Sequence, residues 1–365
     1  MEHSFGRRPP FTVGIEEEFQ LVSAESYELV PRFDDVAAAA ADDRVRRELM
    51  TSVLETATGV HESVPAAVAE AREIRRLLRD AAGRSGALIA SAGTHPFSRW
   101  EHQEITGTER YQGVVEELRW VAERVAIFGL HVHVGMPAPD TAVAVANALR
   151  THVPVLLALS ANSPYWQAHD TGLASTRSKV FETMPRSGLP PRFDSFAEFE
   201  ELVARGRAVG FFEDYTFLWW DVRPHPKLGT VEIRAFDAQT RLENVAALAA
   251  LVQSLAATYA GDAPRPQPRA LIAENKWRAA RYGLDAELVD LATDRSRPAR
   301  EAVAELVGHA APAAERLGCS RELEGLTALC ERGAGADEQR RMHDERGSLL
   351  GVAQWLAETT VEAVG

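Results

Sequence analysis

Three short stretches concentrate the side chains able to hold a metal or shift charge. The first, FTVGIEEEFQLV at 11–22, sets Glu16 and Glu18 two residues apart. On an extended strand that spacing points both carboxylates to one face, roughly 7 Å apart. Two like charges so placed on a half-buried face repel unless a cation lies between them. Phe11, Val13, Ile15, Phe19 and Leu21 alternate onto the other face, with Glu17 the one exception. The second stretch, IFGLHVHVGM at 127–136, repeats the geometry with His131 and His133; imidazole either ligates a metal or donates a hydrogen bond. The third, GTVEIRAFD at 229–237, presents Thr230, Glu232 and Arg234 on one face. An alternating carboxylate and guanidinium can hold a metal and a phosphate side by side. A fourth pair, Glu48 and Glu55, is seven residues apart, and an odd separation on one regular strand sends side chains to opposite faces.

Each signal has a plain alternative. Glu-x-Glu also marks a solvated strand face, His-x-His a pair of satisfied polar histidines, and a Glu–Arg neighbour pair at a surface is worth very little. Together the argument is stronger, because three separate strands offer hard oxygen or imidazole ligands at every second residue. A carboxylate-dominated set suits Mg²⁺ or Mn²⁺ rather than zinc. Such a centre fits triphosphate chemistry, where metals bridge phosphate oxygens and neutralise developing charge. No GxxxxGK[ST] loop, GxGxxG fingerprint or GxSxG elbow occurs, so any nucleotide must be held by the sheet itself.

The elements that position these residues follow from periodicity. Strands are predicted at 11–22, within 47–58, and at 87–94, 126–136, 219–222 and 230–236. Helices are predicted at 65–82, 110–123, 138–160 and 196–208, and a long polar loop at 161–192. From 242 onward the pattern is helical: 242–260, 267–282, 298–316, 320–331 and 336–363. Strands concentrate at 11–240 and helices at 241–363, without strict alternation, which predicts an α+β fold with a largely antiparallel sheet. The Pro-rich segment 261–268 reads as a loop inside one domain spanning 1–365.

Composition bounds the rest. The 365 residues are 45% hydrophobic, ample for a sizeable core. A net charge of −13 argues against a nucleic-acid partner. Two cysteines, Cys319 and Cys330, are too few for a disulfide framework and read as reduced thiols. The N-terminal string lacks the apolar core of a signal peptide, and the most apolar stretch, 246–260, is short for a bilayer span. The expectation is a cytoplasmic protein with no membrane partner.

At these strings the chain resembles the YbdK-type carboxylate-amine ligases, the glutamate–cysteine ligase type 2 family. The resemblance covers about 11–360 and rests on FTVGIEEEFQLV, GLHVHVGM, LSANSPYWQAHDTGLASTRSKVFETMPRSGLP, WWDVRPHPKLGTVEIRAFDA, ENKWRAARYGLDA and ERGAGADEQRR. It implies a curved antiparallel sheet forming a funnel with helices outside, a glutamine-synthetase-like catalytic fold. It implies ATP-dependent amide formation through an acyl phosphate, between an amino acid such as glutamate and an amine such as cysteine, with Mg²⁺ or Mn²⁺, in a homodimer. Residue by residue, it assigns Glu16, Glu18, Glu48, Glu55, His131 and Glu232 to the metals. Arg234 becomes the phosphate or acyl-phosphate arginine, and His133 a phosphate contact. Arg223 and Lys227, flanking prolines, are placed to reach the nucleotide. Asn162, Ser163 and Arg177 lie in a polar loop with two equal readings, closure over the amino-acid substrate or hydrogen bonds that hold the loop itself, with Arg177 and Arg186 as candidate readers of the α-carboxylate. Asn275, Arg278 and Tyr282 form a helix stripe with two readings, a wall of the funnel, which is favoured slightly, or a solvated face. Trp219 and Trp220 read as packing residues. Two other readings stay open: a metal-dependent amidohydrolase that ignores ATP, and a non-catalytic nucleotide or amino-acid sensor.

Overall fold

The computed structural model describes residues 1–362 apart from 291, 292 and 294. Its centre is a seven-stranded sheet. In chain order the strands are β1 (Val13–Ser23), β2 (Val45–Arg47), β3 (Val53–Ala57), β4 (Ala87–Ala90), β5 (Gly129–Gly135), β6 (Val222–His225) and β7 (Thr230–Asp237). The spatial order is β6-β7-β5-β1-β3-β2, with β4 also pairing β1, and every pairing in this sheet is antiparallel. The predicted α+β class with a largely antiparallel sheet is the architecture found.

β1 is central because both its faces have work. Val13, Ile15, Phe19 and Leu21 are buried behind the sheet, while Glu16 and Glu18 stand on the front. Glu17, the exception in the apolar series, lies behind the sheet and is held there by Arg75. Arg75 Nη2 donates to Glu17 Oε1 at 2.5 Å and Nε to Oε2 at 3.2 Å. Arg75 is 0% exposed and also donates to the carbonyls of Gln239, Thr240 and Thr360. A buried charge pair survives only when its remaining donors are satisfied in this way.

Helices cover the back. Val64–Arg84 begins with a proline in its first turn and buries Ala67, Val68, Ala71, Ile74 and Leu78 at helical spacing. Pro139–Ser160 packs on β6 and β7, and Leu242–Tyr259 on β5. Pro139–Ser160 is long and apolar enough to cross a membrane by length and composition alone, yet it is mostly buried inside the fold. One apolar cluster runs from Val13 in the strand-rich part to Ala334 in the helical part.

Several predicted elements changed. The extended segment within 47–58 is a hairpin, β2 returning as β3. The 161–192 loop contains the short helix Thr176–Phe181, capped by the Ser175 hydroxyl. The helix Phe33–Ala40 and the hairpin Glu287–Asp290/Arg295–Pro298 carried no periodic signal. The predicted terminal helix is two, Gly335–Arg346 and Leu349–Glu362. Gly347, at φ 71°, takes the left-handed conformation that ends the first. Residue 363, the predicted end, lies outside the described residues.

Candidate active site

Strand register assembles the front face. Glu16 lies opposite His131 and Gly14 opposite His133 on β5. Glu18 lies opposite Glu55 on β3, and Arg46 opposite Glu55 on β2. Glu232 on β7 is opposite His133 on one side and Arg223 on the other. Directly opposed residues have Cβ atoms about 5 Å apart, so two rows of ligand-type side chains cross the sheet.

These rows form two clusters. Glu18, Glu48 and Glu55 each bring an oxygen within 4.8 Å of the others; a ring nitrogen of His131 and oxygens of Glu16 and Glu232 lie equally close together. Glu48 joins because it sits in the turn after β2, which folds it back over the Glu55 side of β3. His131 bridges the clusters, its Nδ1 3.2 Å from Glu16 and its Nε2 3.8 Å from Glu18. His133 Nε2 lies 3.5 Å from Glu16, and its Nδ1 is 3.0 Å from the Thr230 hydroxyl.

The clusters differ electrostatically. Burial pushes the Glu232 carboxyl up, but Arg223 and Arg234 outweigh it and hold the group well below the usual range. Arg223 Nε is 2.5 Å from one Glu232 oxygen and Arg234 Nη1 2.6 Å from the other. Glu16 is likewise held low against burial by His133 and His131. Burial depresses His131 to about 4, while Glu16 overcomes burial at His133 and raises it. In the acidic trio burial and mutual repulsion win over the relief that nearby arginines and backbone N–H groups give. Burial, then the Glu48 charge, lifts Glu18 to about 7. Burial and the Glu16, Glu48 and Glu18 charges push Glu55 well above its usual value. Burial raises Glu48 too, although the Leu49 N–H donates to it.

This donor set fits divalent cations. Among the described residues, three carboxylates share one small volume without an arginine clamp, and His131 Nε2 is buried with no hydrogen-bond partner. An orphaned buried nitrogen and mutually repelling carboxylates are both costly without an electrophile between them. Oxygen-rich ligation matches Mg²⁺ or Mn²⁺.

Two cavities flank the clusters. One of about 190 Å³ is lined by Glu18, Glu48, Arg177 and Arg234. The other, about 300 Å³, is lined by Glu16, His133, Arg46 and Lys227. Gly129 permits the first arrangement: a Cβ there would collide with the Arg177 guanidinium, and its N–H donates to Glu18 at 2.5 Å. Arg177 is buried, and its Nε has no hydrogen-bond partner among the described residues.

Other expected contacts lie elsewhere. Asn162 is fully buried, its amide donating to Ala238 O and Thr240 Oγ1 and accepting from Gln339. Ser163 donates to Asp237 and accepts the Arg177 N–H. Both side chains are thus spent on the end of β7 and the backbone that follows it, anchoring the loop that carries Arg177. Arg186 lines a separate apolar groove and donates to Phe217 O. The expected helix stripe does not face the site. Asn275 clamps the Val289 backbone in both directions at 2.8 Å, Arg278 pairs with Glu274, and Tyr282 is exposed. Trp220 packs with Phe193 and Phe199, whereas Trp219 lines the smaller cavity. Cys319 and Cys330 are free thiols.

The sequence reading missed Arg46, 4.0 Å from Glu16, and Arg110 and Tyr111 on the smaller cavity. Arg46 was findable, since it faces Glu55 once the 45–57 hairpin is seen. Arg110 and Tyr111 ride on the helix Glu109–Leu118, and nothing in their spacing marks them.

An antiparallel sheet bearing a carboxylate–histidine–arginine face, backed by helices, defines a class that comparison with known proteins makes specific. The model of the glutamate-cysteine ligase family 2 matches residues 12–355, and the chain belongs to that family. A Rubrobacter xylanophilus protein named as a candidate glutamate–cysteine ligase 2-3 is 50% identical over 364 residues, 99% of this chain and 100% of its own. A Sorangium cellulosum protein named as a candidate glutamate–cysteine ligase 2 is 42% identical, with 95% and 96% covered. Among solved structures, glutamate–cysteine ligase from Francisella tularensis in complex with AMP shares the fold, with a TM-score of 0.71 at 13% identity, covering 96% of this chain and 89% of that one. A bifunctional glutathione synthetase from Pasteurella multocida gives 0.68 at 14% identity, covering 96% and 52%.

Proposed function

We propose that the protein is an ATP-dependent carboxylate–amine ligase that works through an acyl phosphate. The observation that carries this reading is the convergence of six ligand-type side chains, in two clusters with oxygens or nitrogens within 4.8 Å, between two separate cavities. A carboxylate oxygen of the acid attacks the γ-phosphorus of ATP, and the bond to ADP breaks. The amine nitrogen then attacks the acyl carbon, phosphate leaves with the electron pair, and the amine gives up a proton. Acyl phosphate formation replaces a poor leaving group with a good one.

Glu18, Glu48 and Glu55, with Glu16, His131 and Glu232, would hold the divalent cations. Bound there, these ions supply charge neutralisation for the phosphate oxygens. Arg234, fixed by Glu232, offers positive charge beside the transferred group, and its buried Nε has no partner among the described residues. Arg223 fixes the other Glu232 oxygen and donates to the Thr216 and Leu218 carbonyls, so it holds the ligand carboxylate in place. His133, made more basic by Glu16, adds a further donor. Lys227 borders the larger cavity, where a nucleotide phosphate would meet it. The relatives' names make glutamate and cysteine the first pair to test, and a homodimer is the expected assembly.

The test is ADP release with Mg²⁺ or Mn²⁺ over a matrix of acids and amines. ADP that appears only when both substrates are present supports the ligase. Amide hydrolysis without nucleotide would mean an amidohydrolase, and ATP binding without turnover under all conditions a sensor.

A further inference from the structure

We propose, building on the ligase reading, that Lys276 is a positioning residue of the site: its buried ammonium braces both the backbone behind Arg234 and the helix that carries Arg177. Lys276 lies on the helix Arg269–Tyr282, in the string ENKWRAARYGLDA. It is 3% exposed. Its Nζ lies 2.6 Å from an Asp221 oxygen and 2.7 Å from a Glu182 oxygen. Burial disfavours the ammonium, but Asp221 and Glu182 outweigh it and hold the group charged.

Each carboxylate belongs to a segment that fixes one of the two arginines. Asp221 directly precedes β6, and its carbonyl accepts the Arg234 N–H at 2.8 Å. That contact sits at a bulge: from Ile233 to Phe236 β7 advances three residues while β5 advances two, so Arg234 and Ala235 have no register partner on β5. A bulge re-aims the side chain it carries, and here Asp221 holds the re-aimed backbone. Glu182 ends the helix Thr176–Phe181, its N–H donating to Ser178 O, and Arg177 stands in the first turn of that helix. The terminal nitrogens of Arg177 lie 3.4 Å from the Arg234 carbonyl. Lys276, Asp221, Arg234, Arg177 and Glu182 thus close a ring around one ammonium. Without it, two carboxylates brought together at its base would repel and part.

The experiment uses the full chain with Mg²⁺, ATP and the acid and amine that release most ADP in the substrate matrix, at a temperature below the midpoint of every variant. Lys276→Met should lower kcat/KM at least about 30-fold in the parent, and no more than about sixfold when added to Arg234→Lys, because the residue it acts through is already impaired. The Tm rise given by Mn²⁺, which reads the carboxylate clusters, should stay that of the parent. An ion pair that only holds the fold together would lower Tm with parent-like kcat/KM, or give equal losses in both backgrounds; either result overturns the proposal. If Lys276→Met does not fold, Glu182→Ala carries the test, since that side chain is 31% exposed. A fall of at least about threefold that disappears in an Arg177→Lys background supports the brace, and parent-like kcat/KM overturns it. If the parent releases no ADP with any acid, the ligase reading fails and takes the inference with it; turnover in the parent with insensitive variants fells the inference alone.

Discussion

Glu18 and Glu55 face each other directly across the β1–β3 ladder, two half-buried carboxyls that no lysine or arginine among the described residues pairs with. Like charges directly opposed on a sheet oppose folding, so this pair is stable only with protons or a metal. Glu55→Gln should leave the metal-free protein as stable as the parent, or more so. It should also abolish the rise in Tm that Mn²⁺ gives the parent, a rise worth about 2.7 kcal/mol at a hundred times Kd. A variant that gains as much from Mn²⁺ as the parent would show that Glu55 holds no cation.

The cation's effect should depend on pH in a defined direction. Glu18 titrates near about 7 in the metal-free fold, against 4.5 ordinarily. The fold therefore binds more protons than the unfolded chain between those values, and this group's contribution falls as pH rises from 4.5 to 7, by about 3 kcal/mol. A bound cation removes that loss. The stabilisation given by Mg²⁺ or Mn²⁺ should then grow from pH 5 to pH 7 and level off above. Thermal midpoints with metal and with chelator measure the difference; an increment independent of pH would refute it.

Arg234→Lys tests whether a point charge can replace a guanidinium that contacts Glu232 and has donors left over. The expected outcome is a fall in kcat/KM of about 10²-fold or more with an unchanged Tm, the scale of losing one transition-state donor. Activity within a few fold of the parent would make Arg234 a structural partner of Glu232 only.

Behind the sheet, the Glu17–Arg75 pair gives a prediction about stability alone. Arg75→Met strands a buried carboxylate and should cost about 3–5 kcal/mol in urea unfolding. Adding Glu17→Leu should recover part of that. Full recovery is blocked because the Gln239, Thr240 and Thr360 carbonyls lose their donor. Strictly additive losses would show that the two residues do not act as a pair.

Much of the front face was legible because strand periodicity is local. Glu16, Glu18, His131, His133, Glu232 and Arg234 each follow from alternation within one string, and the register brings them together. Glu48 was not legible in this way. Its odd spacing from Glu55 misleads until the chain is known to turn between them. For Asn162 and Ser163 a polar loop left two readings open, and these side chains take the structural one, satisfying Asp237 and the backbone after β7. The Arg110 and Tyr111 positions depend on packing of distant segments, which no short window contains.

β1 carries three consecutive glutamates, the outer two turned forward and the middle one sealed behind. Slippage of this strand by one residue would reverse every side chain, driving Glu16 and Glu18 into the apolar interior and turning Ile15 and Phe19 forward. Insertions or deletions between Val13 and Phe19 should therefore destroy folding and cation capture together. The chain has in effect a built-in proofreading step, since a molecule able to bury this strand has already aimed its carboxylates correctly.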